Sequence, residues 1–254
     1  MSELVELSST QHKGLKVRVN CGVEVAATQQ IVKLRVNEVG RAAGSFPIFF
    51  TRNAQDGGLV LSALTSFENR QNMFVKDGQW QSTYQPSAIQ TFPFFLMRSA
   101  SDENSYTIGI DEKSPVFSKQ NGELIFEENG KASMQLSRAK VLLEADIQND
   151  IHTFAFGKEL EKLALLKSID LVVQYQDGTN QNITGLITID EDKMNVLSPE
   201  QLHGLNQQGY LVQIHAMLIS IYQLNLIIQK QNSRSDLPKV AQLKIEVAKD
   251  RAAG

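Results

Sequence analysis

Two stretches of the chain follow one plan. Gly40–Arg52 reads GRAAGSFPIFFTR and Pro86–Arg98 reads PSAIQTFPFFLMR. Each runs hydroxyl, Phe, Pro, apolar, Phe, apolar, any residue, Arg, and the Phe-Pro pairs at Phe46-Pro47 and Phe92-Pro93 stand 46 residues apart. Proline disfavours the α region at the residue before it, so a helix entering such a pair must stop there. The pair therefore fixes a helix-to-strand corner. Downstream of each arginine comes a polar turn (Asn53–Gly58, then Ser99–Asn104) and an apolar strand (Leu59–Leu64, then Tyr106–Ile110). A ribbon follows around Asp77-Gly78 in one copy and Asn129-Gly130 in the other, pairs that tolerate positive φ at both central turn positions. The pattern predicts a tandem duplication, copies 36–85 and 86–131, each a short helix, a Phe-Pro break, two strands and a ribbon. The two copies are expected to pair about an approximate twofold axis and complete one sheet.

The second half reads as mainly helical. From Ala132 to about Ile147 the positions Met134, Leu136, Val141, Leu142 and Leu143 suit a helix. A second helix is predicted from an N-cap at Asn149-Asp150, with Ile151, Phe154, Leu160, Leu163 and Leu166 inward and Lys158, Glu161 and Lys162 wet. Leu171–Tyr175 and Ile183–Ile189 flank Asp177-Gly178 as one further hairpin. Ser198-Pro199-Glu200-Gln201 is a helix start with a capping box and proline at the first helical position. Tyr210–Ile228 is 19 residues without a formal charge. That length touches the threshold for a membrane span, but Gln213, His215, Ser220, Gln223 and Asn225 interrupt it, which suits a buried central helix or a dimer seam, so membrane residence is not expected. Residues 231–254 read as a polar C-terminal tail in which Leu243, Ile245 and Val247 alternate as in a short strand, and Ala248–Gly254 is expected to fray.

The predicted class is α+β: a β-rich core from the duplicated unit, then helices packed on it, in one integrated domain over 1–230. With 254 residues and 42% apolar side chains before glycine is counted, a disordered chain, a collagen and a coiled-coil rod are excluded. Twenty-five basic against 28 acidic residues leave a net charge of −3, which argues against nucleic acid as a partner. The single cysteine, Cys21, excludes an intrachain disulfide and reads as a small core residue. Met1-Ser-Glu-Leu-Val-Glu carries acids where a targeting signal carries bases, so a cytoplasmic location is expected.

Chemistry is sparsely signposted. The four histidines, His12, His152, His203 and His215, form no metal-binding spacing, and His203 and His215 would lie roughly 18 Å apart along one helix. His215 reads as a hydrogen-bonded residue inside an apolar helix. Asp190-Glu191-Asp192, Asp102-Glu103 and Glu127-Glu128 read as solvated acidic turns. There is no nucleophile elbow, no phosphate-binding loop and no dinucleotide fingerprint, so no cofactor is implied. The repeat offers one candidate surface, built from Phe46, Phe49, Phe92 and Phe94 with Arg52 and Arg98 at its rim. The competing reading puts those aromatics in the core.

Taken together, several of these segments resemble the SapC-like family of bacterial proteins: the two Phe-Pro corners, the ribbon Asn72–Trp80, the segment Gly185–Leu197 and the uncharged helix around His215–Ser220. The resemblance runs over roughly residues 10 to 230. It takes its name from a protein linked to a paracrystalline surface layer, and it brings no established catalytic residues to carry over. A transporter permease of the same name needs several clear spans and is not resembled. The expected function is a soluble, non-enzymatic binding or accessory protein, oligomeric or bound to a protein partner, using Phe46, Arg52, Phe92, Arg98 and His215 or the long apolar helix. Two alternatives stay open: an enzyme or oxygenase-like partner whose site is assembled from scattered histidines and carboxylates, and a surface-layer or export component.

Overall fold

The computed structural model describes residues 4–99, 102 and 105–248. Before the repeat come β1 (Val5–Glu6), β2 (Lys16–Val17), α1 (Cys21–Ala26) and β3 (Ile31–Lys33). The first copy supplies α2 (Val39–Ala42), β4 (Ile48–Arg52), β5 (Leu59–Leu64), β6 (Val75–Lys76) and β7 (Gln79–Trp80). The second supplies α3 (Ser87–Thr91), β8 (Phe95–Arg98), β9 (Tyr106–Ile110), β10 (Phe117–Ser118) and β11 (Glu123–Leu124). Then follow α4 (Met134–Lys162), β12 (Leu166–Tyr175), β13 (Asn180–Ile189), α5 (Glu191–Asn195), α6 (Pro199–Gln207), α7 (Tyr210–Ser220), α8 (Leu224–Asn232) and β14 (Val240–Val247). The class is α+β, with a helical second half carrying one long hairpin.

The repeat holds locally. Each corner leads from a short helix into an antiparallel hairpin, and the hairpins share a last rung: Arg52 opposite Leu59 and Arg98 opposite Tyr106. Asp77 and Gly78 both take positive φ (52° and 70°), the tight turn their sequence asks for. Globally the expectation fails. β4 and β5 lie inside a six-stranded sheet of order β14-β12-β13-β4-β5-β3, while β8 and β9 join β1 in a separate three-stranded sheet. No twofold pairing of copies completes one sheet, because the open edges of each hairpin are taken by strands from outside the repeat: β13 and β3 for the first, β1 for the second. The second ribbon differs as well. β10 and β11 both pair with β2 rather than with each other, leaving a single bridge between Phe126 and Ala132 around Gly130. Part of the second polar turn, Ala100, Ser101, Glu103 and Asn104, lies outside the described residues.

The two helices predicted over 132–166 are one. Ser133 caps α4 by accepting the Leu136 N–H at 3.3 Å, and the helix runs 29 residues, about 43 Å. Asn149-Asp150 sits mid-helix, where no proline or glycine breaks the pattern. The predicted inward face holds in part: Leu160 is buried and Leu163 and Leu166 pack against the core, whereas Ile151 and Phe154 are 55% and 68% exposed. The buried positions are Leu136, Ala139, Leu143, Asp146, Phe156, Gly157 and Leu160. The N-terminal half of that stripe packs with Val17, Cys21, Phe94, Ile110 and Ile125, around the second copy. Its C-terminal half packs into the main core, where Phe156 meets Phe50 of β4 at 5.9 Å and Tyr210 of α7 at 5.0 Å between ring centroids. α4 is therefore the beam on which both parts of the fold are mounted.

The other local signals read correctly, with amendments. Ser198 accepts the Gln201 N–H and Gln201 Oε1 accepts the Ser198 N–H, closing the capping box of α6. The β12–β13 turn uses Gly178 alone at positive φ (86°), with the Gly178 N–H donating to Tyr175 O. Asp190-Glu191-Asp192 is the start of the short helix α5 rather than a loop, and Asp190 pairs with Lys167 and Lys193. The segment 231–254 is not simply a tail: β14 lies in the main sheet beside β12. Residues 249–254, where fraying was expected, lie outside the described residues.

Close packing of backbone makes one glycine costly to replace. A Cβ on Gly22 of α1 would fall on the carbonyl oxygen of Ile89 in α3, whereas one on Gly109 would meet only the Met97 side chain at its nearest point. Gly22→Ala is expected to cost about 2 kcal/mol or more, because backbone cannot yield, and Gly109→Ala less than about 1 kcal/mol. Urea denaturation of both variants checks the order.

Candidate functional site

A buried charge cluster stands where the two copies meet α4. Arg35 follows β3 and enters a 3₁₀ turn, Val36–Glu38. It is 8% exposed, too far from water to keep its hydration, and a buried guanidinium must be paired. Its Nε donates to Asp150 Oδ1 at 2.9 Å, its Nη2 to Asp150 Oδ2 at 3.3 Å and its Nη1 to Ser87 Oγ at 2.9 Å. Asp146 Oδ2 lies 2.9 Å from Nη1 but out of line for a hydrogen bond, so that contact is an ion pair only. Asp146 and Asp150 sit one turn apart on α4, the spacing that puts two side chains on one face. Lys33 reaches Asp150 as well, at 3.2 Å.

Glu38 ties the second copy to the first. Its carboxylate accepts from the Arg35 N–H (2.9 Å), the Tyr84 hydroxyl (2.6 Å), the Ser87 N–H (2.8 Å) and the Ser87 hydroxyl (3.1 Å). It thereby satisfies an orphan N–H at the start of α3. Thr153 of α4 accepts the Val36 N–H through its hydroxyl. Burial first, and then the neighbouring Asp150 and Glu38, raise the Asp146 carboxyl to about 6, with Arg35 opposing. Burial and the Glu38 carboxylate push the Tyr84 phenol above its usual value. The groups of this cluster face one another, with Asp150 on its solvent-facing side. Its work is to lock α4, the 3₁₀ turn and α3 together.

The sequence-derived candidates are dispersed. Phe46 is in the core, edge-on to Phe74 with centroids 4.6 Å apart, and Phe49 and Phe94 are buried too. Phe92 is half-buried, edge-on to Phe95. Arg52 is on the surface, donating to Gly57 O at 2.8 Å and lying 3.5 Å from Glu161, a surface pair of small worth. Arg98 ends β8 in the other sheet, so the two arginines do not rim one groove. His215 is exposed on α7, its Nδ1 2.6 Å from Leu211 O, and is not a core residue. The residues that do converge, Arg35, Glu38, Asp146 and Asp150, escaped the sequence reading. The available signal was the stripe Leu136, Ala139, Leu143, Asp146, Asp150, Thr153, Gly157, Leu160, at alternating steps of three and four with acids in its middle.

One histidine–carboxylate pair does form: His12 Nε2 and Glu112 Oε1 are 2.6 Å apart, with His12 only 4% exposed. His12 Nδ1 lies 2.9 Å from the Ser8 backbone nitrogen and 3.1 Å from Ser8 O. Both nitrogens are occupied in holding the N-terminal segment. Among the described residues, no group of three His, Cys, Asp or Glu side chains is arranged to hold a metal ion. Cys21 is buried and its thiol raised, chiefly by burial.

Several clefts open on the surface, and two features stand out. A cleft of about 520 Å³ lies between α1, α3 and the start of α4, with Gln90, Gln135, Arg138 and Phe92 among its walls. The larger feature is the helix Tyr210–Asn232, long and apolar enough to cross a membrane, of whose most apolar window 28% is buried. One face anchors it: Ile214, Met217, Ser220, Leu224, Ile227 and Gln231 are buried, and Ser220 Oγ accepts the Ile48 N–H from the main sheet at 3.0 Å. The outer face carries Val212, Ile219 and Tyr222, 67%, 64% and 75% exposed.

The raised Asp146 carboxyl makes stability pH-dependent in a defined sense. The folded protein holds this proton more tightly than the unfolded chain does. The stabilisation is therefore full below the ordinary carboxylate range and lost as pH rises through about 6. Asp146→Asn is expected to remove an increment of about 1.4 kcal/mol from the difference in unfolding free energy between pH 5 and pH 7.5. Urea titrations at the two pH values check this; an equal pH dependence in the variant would mean that Asp146 is ionised throughout.

A family model of SapC proteins matches residues 7–226, from the first strands through both copies and α4 into α8. No curated protein and no solved structure matches the chain. With most of its length under that match, the chain belongs to the SapC family.

Proposed function

We propose that the protein is a non-enzymatic binding protein and that a partner protein docks on the outer face of α7 and α8. The observation that carries this reading is the exposure of Val212, Ile219 and Tyr222 on a helix with no formal charge before Lys230. A contiguous exposed apolar face is a usual mark of an interaction site. Tyrosine is also among the side chains that most often anchor interfaces. His215, Asn225 and Gln229 are exposed on the same helix, giving the mix of apolar centre and neutral polar groups that protein interfaces carry. The hydrogen bond from Ile48 to Ser220, and those from Gln231 to Glu68 and Pro238, tie the other face into the sheet and its loops. That anchoring supports a protein partner over lipid, since the helix is held as a rigid platform. The buried Arg35 and Glu38 are engaged in holding α4, α3 and the 3₁₀ turn together, which supports binding over catalysis.

A photo-crosslinking residue placed at Tyr222 of the full chain, expressed in its native cells, is expected to capture one protein. That protein, purified, is expected to bind the purified chain and to bind Ile219→Asp at least about tenfold more weakly, with the variant's unfolding free energy within about 0.5 kcal/mol of the parent. Equal affinity for the variant would move the site elsewhere. Binding to phosphatidylcholine–phosphatidylglycerol vesicles that Ile219→Asp abolishes would replace the protein partner with a lipid surface.

A further inference from the structure

The outer edge of the six-stranded sheet is β14, which pairs only with β12. The Ala248 N–H donates to Ser168 O. With the register running Ile169–Val247 to Val173–Leu243, Gln242, Lys244 and Glu246 therefore turn their backbone groups toward β12. Leu243, Ile245 and Val247 turn theirs outward, and among the described residues those N–H and C=O groups have no partner. At the other end the edge is closed: Asn232 accepts the Val240 N–H at 2.7 Å and donates to Val240 O at 3.1 Å, imitating a neighbouring strand. The open stretch therefore begins after Val240.

The side chains of this stretch are those of an interior strand. Leu243, Ile245 and Val247 stand opposite Val173, Leu171 and Ile169, all buried, on the packed face of the sheet. Yet Ile245 is 46% and Val247 72% exposed among the described residues. Past a bulge at Ala241 the edge runs regularly to Val247 without proline, and its outward backbone groups are a template for another strand.

We propose that the occupant is the β14 of a second copy, paired antiparallel about a twofold axis through Ile245. The charges select this register. Residues with outward backbone groups must face one another, which leaves the axis on a residue of β14 in steps of one. With the axis at Ile245, Leu243 of each copy faces Val247 of the other on the packed side. Lys244 then faces Glu246 twice on the opposite side, at the closer, non-hydrogen-bonded pairs where side chains interact most strongly. An axis at Lys244 would set lysine against lysine, and one at Glu246 glutamate against glutamate. The contact is self-complementary and closed, as a twofold interface must be. It joins two six-stranded sheets into one and brings the exposed Ile245 and Val247 of both copies together.

Sedimentation equilibrium of the full chain at micromolar concentration is expected to give a dimer. Lys244→Glu and Glu246→Lys, each leaving like charges opposed twice, are expected to raise the dissociation constant about tenfold or more. The double exchange K244E/E246K, which restores opposite charges across the axis, is expected to return it to within about threefold of the parent. Ile245→Cys is expected to form a disulfide-linked dimer on oxidation, since facing residues of such a pair have Cα atoms about 5.5 Å apart. A monomer at 100 μM, a dimer indifferent to the single reversals, or a double exchange as weak as the singles would each overturn the proposal. Because Ile219→Asp leaves this edge untouched, failure here is separable from failure of the helix as a docking face.

Discussion

A guanidinium removed from water has to recover its solvation inside the protein, and Arg35 does so on one side of a single helix. Asp146 and Asp150 of α4 take its charge, Ser87 takes its remaining fork, and Glu38 closes the ring onto the second copy. Breaking any one member would strand the others, since an unpaired buried charge costs far more than a paired one. Everything mounted on α4 inherits this constraint: the second copy on its first turns, the main sheet on its last. Burial first, and then the excess of carboxylate over cation in the cluster, is why one of them, Asp146, holds its proton up to about pH 6.

The duplicated unit shows how far local instruction reaches. Both copies lead a short helix through Phe-Pro into a hairpin from the same residue types, with the Phe92-Pro93 bond cis and the Phe46-Pro47 bond trans. They end in different sheets because a hairpin's edges are indifferent to ancestry and accept whichever strand arrives. The first is buried between β13 and β3, so Phe49 and Phe50 are wholly enclosed, whereas the second remains a thin layer with Phe95 and Tyr106 partly in water. Identical instructions thus gave a core element in one place and a covering element in the other.

One face of the most apolar helix and the end of an apolar sheet edge lie outward. Neither feature helps the isolated chain, since exposed Tyr222 and Val247 leave hydrophobic area in water. Both become intelligible if the unit of function is an assembly, with the sheet edge serving copies of the chain and the helix face serving something else.

The sequence by itself determined what depends on dihedral preference and on hydrogen bonds within a few residues: the Phe-Pro corners, the Asp77-Gly78 turn, the capping box at Ser198, the α+β class. It misplaced the middle of the inward face of α4, because a pattern of apolar residues counts Asp146 as wet and Phe154 as dry. Only the tertiary structure decided otherwise, by bringing Arg35 to Asp150 across 115 positions of chain. The same holds for the strand order and for the company kept by Phe46, Arg52, Phe92, Arg98 and His215. Strand neighbours and ion pairs are chosen by contacts between distant segments, and the free energy of a buried charge belongs to the pair that the fold assembles.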